Sequence, residues 1–170
     1  MPAPENLATI ELVDTTWDDE RARLLRSEMD RELTARYTDP AAPPEPDEMQ
    51  VRRTRALSVD AADVVTTVLA IDADGEPLGH AALRRLRDDW EIKRVIVRST
   101  ARGRGIGRAI MEHLETRARA EGATRVILQT GTMQPESIAM YENRGYRRIP
   151  VYEPYLETMP GSLCYEKPLD

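Results

Sequence analysis

The chain has 170 residues, enough for one domain with modest decoration and too few for two full ones. Apolar residues make up 41% and charged residues 32%, a composition that excludes a disordered chain or a membrane-embedded one. The net charge of −6 argues against non-specific nucleic-acid binding, and one cysteine with two histidines leaves neither an internal disulfide nor a Cys/His zinc cluster.

From the N-terminus, Met1 to Ile10 has no basic region followed by an apolar stretch. Nowhere do about eighteen apolar residues run together, so neither export nor a membrane span is expected and a cytoplasmic location fits. Ala8–Asp14 mixes β-branched and alternating residues and predicts a first strand. From Trp17 to Tyr37 the pattern becomes helical, with Trp17, Leu24, Leu25, Met29 and Leu33 favouring one face and Thr15 or Thr16 able to cap it. Asp39–Glu48 carries Pro40, Pro43, Pro44 and Pro46 and predicts an acidic loop.

Val64–Ile71 is a β-branched run, followed by a turn at Asp72–Pro77 and a second strand at Leu78–Leu86. Glu91–Val97 adds a third, giving an antiparallel meander. Ile106, Ile110, His113, Leu114 and Ala118 recur at helical spacing, so Gly105–Glu121 predicts a helix ending at Gly122. Val126–Leu128 predicts a strand and Glu136–Asn143 a short helix stopped by Gly145. Tyr146–Val151 and Leu163–Glu166 are the last two strands. A strand–helix–strand order after Glu91 implies one parallel crossover in an otherwise antiparallel sheet.

Positive charge gathers at Arg94, Arg98, Arg102, Arg104 and Arg108, around a glycine-rich turn that opens the Gly105–Glu121 helix. Backbone N–H groups converge at a helix N-terminus, and Gly103, Gly105 and Gly107 lack the Cβ atoms that would hold a pyrophosphate away. Other phosphate loops fail on spacing. A dinucleotide fingerprint counted from Gly103 needs glycine where Arg108 stands, and the Gly-Lys-Ser/Thr ending of a P-loop is missing.

Arg102-Gly103-Arg104-Gly105-Ile106-Gly107 resembles the Gln/Arg-x-x-Gly-x-Gly/Ala signature of the GNAT superfamily of N-acetyltransferases. Glu91–Val97 is placed like that family's splayed fourth strand. The segment from Gln134 through Tyr141 to Gly145 and Tyr146 is similar to the family's Asn-x-x-Ala-x-x-x-Tyr-x-x-x-Gly-Phe/Tyr stretch, with Gln134 in place of Asn and Ser137 in place of Ala. The likeness covers roughly Val64–Leu169.

This resemblance implies an α/β (α+β) fold with a single mixed, mostly antiparallel central sheet, splayed at the cofactor cleft and flanked by helices, as one domain over residues 1–170. It implies acetyl-CoA as cosubstrate, with no metal. Main chain of Val95, Ile96 and Val97 would pair with pantetheine, and the Arg102, Gly103, Arg104, Gly105, Ile106, Gly107 and Arg108 loop would hold the pyrophosphate. Gln134 would contact the pantetheine or the adenine. Two catalytic roles are carried over: Glu91 as general base, and Tyr141 as the acid that protonates the departing thiolate. Outside those roles, Glu91 would be a carboxylate paired with Arg94 or Lys93, and Tyr141 a core aromatic.

The expected partner is a small-molecule or peptide amine, approached by way of the Asp39–Glu48 loop with Arg36 and Tyr37 beside it. A homodimer is compatible with the resemblance. His80 and His113 are expected to be structural, and Cys164 a small buried residue. A non-catalytic acyl-CoA-binding or sensor domain of the same fold is the competing expectation, and a nucleotide-dependent regulator is disfavoured by the spacings above.

Overall fold

The computed structural model describes residues 9–170; the start of the first expected strand, at Ala8, lies outside them. Seven strands form one sheet: β1 (Glu11–Thr15), β2 (Val64–Ile71), β3 (Pro77–Leu86), β4 (Asp89–Val97), β5 (Arg125–Thr130), β6 (Arg147–Ile149) and β7 (Leu163–Pro168). Their spatial order is β1-β2-β3-β4-β5-β7-β6. Every pairing is antiparallel except that of β4 with β5.

Five α-helices accompany the sheet: α1 (Glu20–Tyr37), α2 (Asp47–Leu57), α3 (Ile106–Ala120), α4 (Pro135–Asn143) and α5 (Tyr155–Thr158). β2 shows why the sheet needs cover on both sides. Its β-branched and apolar residues alternate between the faces, Val68 and Ala70 joining the main core while Leu69 packs with Ala22, Leu25 and Ile96. The main core sets Ile106, Ile110, Met111, Leu114 and Ala118 of α3 against Ala81, Leu83, Ile92, Val126 and Leu128 of the sheet. α3 lies very close to β3: a Cβ on Gly79 would stand 2.8 Å from both Ile106 Cγ2 and Ile110 Cδ1. Glycine there sets the depth of the packing.

The predicted elements are present with ends moved by a few residues. Three features differ. The cap of α1 is Asp19, whose side chain accepts from the Arg21 N–H, whereas Thr15 donates its hydroxyl to Asp19 at 2.7 Å. The proline-rich segment is a loop only as far as Pro46, where α2 begins with Asp47 and Glu48 in its first turn. α5, inside the long β6–β7 connection, was not expected at all.

Two irregularities shape β4. Its register with β3 shifts between His80 and Ala82, where Arg94 takes φ 56°, so β4 carries a bulge at Arg94. On its other side β4 meets β5 at a single register pair, Glu91 with Ile127. Beyond Glu91 the two strands part, and the rest of the β4 edge has no strand beside it.

Candidate active site

The parting of β4 from β5 opens a cleft of about 300 Å³. One wall is the β4 edge at Val95, Ile96 and Val97; another is the turn into α3, at Arg102, Gly103, Gly105, Ile106, Gly107 and Arg108. The turn is built by two left-handed glycines, Gly103 at φ +79° and Gly105 at φ +78°, the latter serving as the N-cap of α3. A non-glycine residue is strained in that region of φ. Among the described residues, no main-chain N–H from Gly103 to Arg108 donates a hydrogen bond. That leaves a row of unpaired donors at a helix N-terminus, which is the chemistry of an anion site.

The floor and rim come from α4. Gln134, Glu136, Ser137 and Met140 line the cleft. A Cβ on Gly107 would come within 2.7 Å of Met140 Sδ, so this glycine lets α3 and α4 approach. The fourth wall is α1, through Met29, Glu32, Leu33 and Arg36. Nothing in the motifs pointed to these residues. The available signal was one of charge alone: α1 carries acids, and the segment from β4 to the loop carries arginines. Asp30 pairs with Arg94, Glu28 with Arg98 at 2.7 Å, and Glu32 with Arg102 at 2.9 Å. Arg102 also donates Nε–H to the Val97 carbonyl at 3.1 Å.

At the end of α1, Arg36 donates to Glu136 at 2.6 Å and to the Met133 carbonyl. The Tyr37 hydroxyl accepts from the Met133 N–H at 3.1 Å and lies against Gly131. Arg36 and Tyr37, expected toward the acceptor, therefore strap α1 to the start of α4 across the cofactor-side cleft. Arg104, expected in the cofactor loop, is exposed and its side chain is not part of the lining.

The bulge in β4 has its own support. His80 is fully buried, its Nδ1 2.8 Å from the Arg94 carbonyl and its Nε2 3.0 Å from an Arg26 nitrogen. A carbonyl can only accept, so Nδ1 carries the hydrogen and Nε2 accepts from Arg26. Burial pushes the His80 imidazole down to about 4, which keeps this neutral tautomer in place. His80 is thus structural, as expected. So is His113, whose Nε2 meets Asp14 at 3.0 Å. Burial raises the Cys164 thiol, the reverse of what a nucleophile needs.

Neither expected catalytic side chain lies in the cleft lining. Tyr141 is buried one turn beyond Ser137, with its ring 5.8 Å from that of Tyr146 and 6.2 Å from that of Tyr165. Its hydroxyl has no hydrogen-bond partner among the described residues, and burial lifts its pKa above the usual phenol value, so it stays protonated. Glu91 is fully buried at the point where the sheet splits. Its ion-pair partner is Arg84, at 2.8 Å, in place of Arg94 or Lys93. Arg84 is its register partner on β3, so the hairpin at Leu86–Asp89 brings the two charges face to face. Tyr152 and Tyr155 donate their hydroxyls to Glu91 Oε2 at 2.6 and 3.0 Å. Lys93, on the same face of β4, donates to the Tyr155 hydroxyl at 2.7 Å, and burial lowers its ammonium to about 8.

Known proteins share this fold. The profile of the acetyltransferase (GNAT) family matches residues 26–146. An IAA acetyltransferase of Azospirillum brasilense is 43% identical over 79 residues, 46% of this chain and 51% of its own. The chain spans about half the length of the curated relatives it matches. Among solved structures, the PaiA N-acetyltransferase of Thermoplasma acidophilum, in complex with coenzyme A, superposes with a TM-score of 0.68 at 15% identity, over 94% of this chain and 99% of that one. A GNAT-family acetyltransferase of Staphylococcus aureus does so with a TM-score of 0.66 at 16% identity, over 95% and 100%. Among the described residues, no helix is long and apolar enough to cross a membrane.

Proposed function

The chain belongs to the acetyltransferase (GNAT) family, and on that premise we propose that it transfers an acetyl group from acetyl-CoA to a primary amine by direct attack in a ternary complex, as a single domain. The observation that carries the proposal is the row of unpaired N–H groups from Gly103 to Arg108, facing a β4 edge that has no strand beside it. The residues fit the cosubstrate. The amides suit a pyrophosphate, with Arg108 adding charge, and the Val95–Val97 edge suits an amide-bearing chain laid down as an added strand. Acetyl-CoA supplies the activated thioester.

The protein's part is to hold, orient and move protons. Gln134 and Ser137 border the bound chain, and Met29, Leu33 and Met140 supply apolar surface that excludes water. Tyr141 remains protonated and can give its proton to the leaving sulfur, while Glu91 takes up the proton that the amine loses. The net charge of −6 favours a cationic acceptor, a small amine or a peptide amine.

A panel of such amines with acetyl-CoA, read by thiol release, tests the proposal. Release with at least one amine is expected. Tight coenzyme A binding with no release from any amine would leave the competing role, an acyl-CoA sensor. Tyr141→Phe keeps the ring and its packing while deleting the proton donor. It is expected to lower kcat by about 10²–10⁴-fold with coenzyme A affinity and melting temperature preserved. A wild-type kcat, with chemistry rate-limiting, would return Tyr141 to the core.

A further inference from the structure

Which backbone groups of β4 face the cleft follows from its pairing with β3. Arg98, just past the end of β4, donates its N–H to the Leu78 carbonyl on β3. Successive residues of a strand turn their polar groups to opposite edges, so Val97 turns its N–H and carbonyl away from β3, to the edge that has no strand beside it. That carbonyl is already engaged. Arg102 donates Nε–H to it at 3.1 Å, and Nη2 of the same guanidinium donates to both oxygens of Glu32, at 2.9 and 3.1 Å.

Glu32 stands on α1 and Val97 on β4, and both line the cofactor cleft together with Arg102. The guanidinium is therefore a bar from one wall to the other, bonded to the β4 edge at the place where an added strand would offer its N–H. A carbonyl has two lone pairs, but a group of this size on the open edge stands in the path of the chain. The bar is weakly held. The Arg102 and Glu32 side chains are 39% and 42% exposed, where an ion pair contributes little. Glu32 has a second partner in Arg36 at 3.1 Å, so the departure of Arg102 does not leave the carboxylate alone. Arg102 also immediately precedes the turn whose N–H groups, from Gly103 to Arg108, are unpaired among the described residues. An anion on those amides competes with Glu32 for the same guanidinium.

Resting on the acetyl-CoA reading proposed above, we infer that Arg102 is a specificity-determining residue: it holds the Val97 carbonyl against a pantetheine chain until a phosphate at the turn draws it off, so the cleft admits thioesters of phosphorylated pantetheine and turns away phosphate-free ones. One side chain makes two opposite contributions. Toward coenzyme A, Arg102 gives up a carbonyl and a part-exposed carboxylate and gains a phosphate, with which a guanidinium pairs well. Toward pantetheine alone it gives up the same contacts and gains none.

Calorimetry with coenzyme A and with pantetheine, on wild type and on Arg102→Met, tests this. Met keeps an unbranched stem but can neither donate to a carbonyl nor pair with a phosphate. Arg102→Met is expected to weaken coenzyme A about tenfold and to tighten pantetheine about threefold or more. The opposite signs distinguish the bar from simpler roles. An Arg102 that only binds phosphate would leave pantetheine unchanged, one that only supports the turn would weaken both ligands, and either result overturns the inference. Inorganic phosphate gives a second test that needs no variant. At constant ionic strength it is expected to tighten pantetheine binding to wild type, by occupying the turn and drawing Arg102 from Val97, and pantetheine must then tighten phosphate by the same factor. Arg102→Met is expected to lose this coupling. Pantetheine affinity that stays level or falls as phosphate is added to wild type overturns the inference, whether or not Arg102→Met folds. If coenzyme A does not bind wild type at all, the cosubstrate reading itself fails and the inference with it, which separates that outcome from the others.

Discussion

The cofactor cleft has two helical walls of opposite construction. α3 buries seven of its fifteen residues, all but Glu115 apolar or glycine, in a stripe that carries the glycine turn at its start. α1 buries three of eighteen, and one of those is Arg26. Beyond the small cluster of Ala22 and Leu25 with Leu69 and Ile96, α1 is held over the cleft by part-exposed ion pairs to Arg94, Arg98 and Arg102, the last of which lines the cleft and also reaches the Val97 carbonyl. The α3 wall is fixed by packing, so its amides are in position before any ligand arrives. The α1 wall rests on a smaller apolar cluster and on charge, so the charged part of its hold is weakened by salt and competes with the anion it covers.

This contrast can be broken most severely at α3. Leu114→Ala removes a fully buried side chain from the main core and is expected to cost about 2–5 kcal/mol of stability, nearly independent of salt. Denaturant melts at low and high ionic strength measure it; a loss under 1 kcal/mol would mean that α3 is no more firmly seated than α1.

A smaller effect is expected at the turn itself. Gly105→Val puts a β-branched residue at φ +78° and a side chain where the backbone faces the cleft. No atom lies within 4 Å of that Cβ position, so the cost falls on backbone geometry and on the approaching phosphate. Coenzyme A affinity is expected to fall at least about tenfold, or 1.4 kcal/mol. Unchanged binding by a folded variant, seen by calorimetry, would remove the pyrophosphate assignment.

The smallest effect has the opposite sign. Glu32→Gln frees Arg102 from its carboxylate partner and should tighten coenzyme A binding, by up to about fivefold, because the pair is part-exposed and worth no more than about 1 kcal/mol. The gain should fade as salt rises. A loss of affinity in this variant would show that Glu32 assists the cofactor instead of opposing it.

Much of the fold was legible because the elements from β2 to α4 are short, periodic and punctuated. The β-branched run at Val64–Ile71, the stripe from Ile106 to Ala118 and the stop at Gly122 each follow from local sterics. α2 and α5 were not legible. α2 has one buried residue, Ala56, and almost no stripe to read, and α5 is a single turn packed in place by Tyr155. At the site, the glycine turn could be named residue by residue, whereas the setting of Glu91 could not. Its pairing with Arg84 follows from the hairpin register at Leu86–Asp89, where Arg87 takes φ 55°. Arg87-Asp88 is not one of the glycine- or asparagine-marked turns that announce themselves in a sequence.

By itself, then, the sequence determined the strands, the crossover helix and the amide turn, because each depends on residues close along the chain: glycines that permit positive φ, and apolar residues at one period. The tertiary structure alone decided that α1 covers the cleft, that His80 and Arg26 hold the bulge at Arg94, and that Tyr152 and Tyr155 enclose Glu91. Those contacts join residues 54 to 70 positions apart. They arise from packing and register, which a hydrogen bond or an ion pair between distant side chains does not write into the local pattern of either partner.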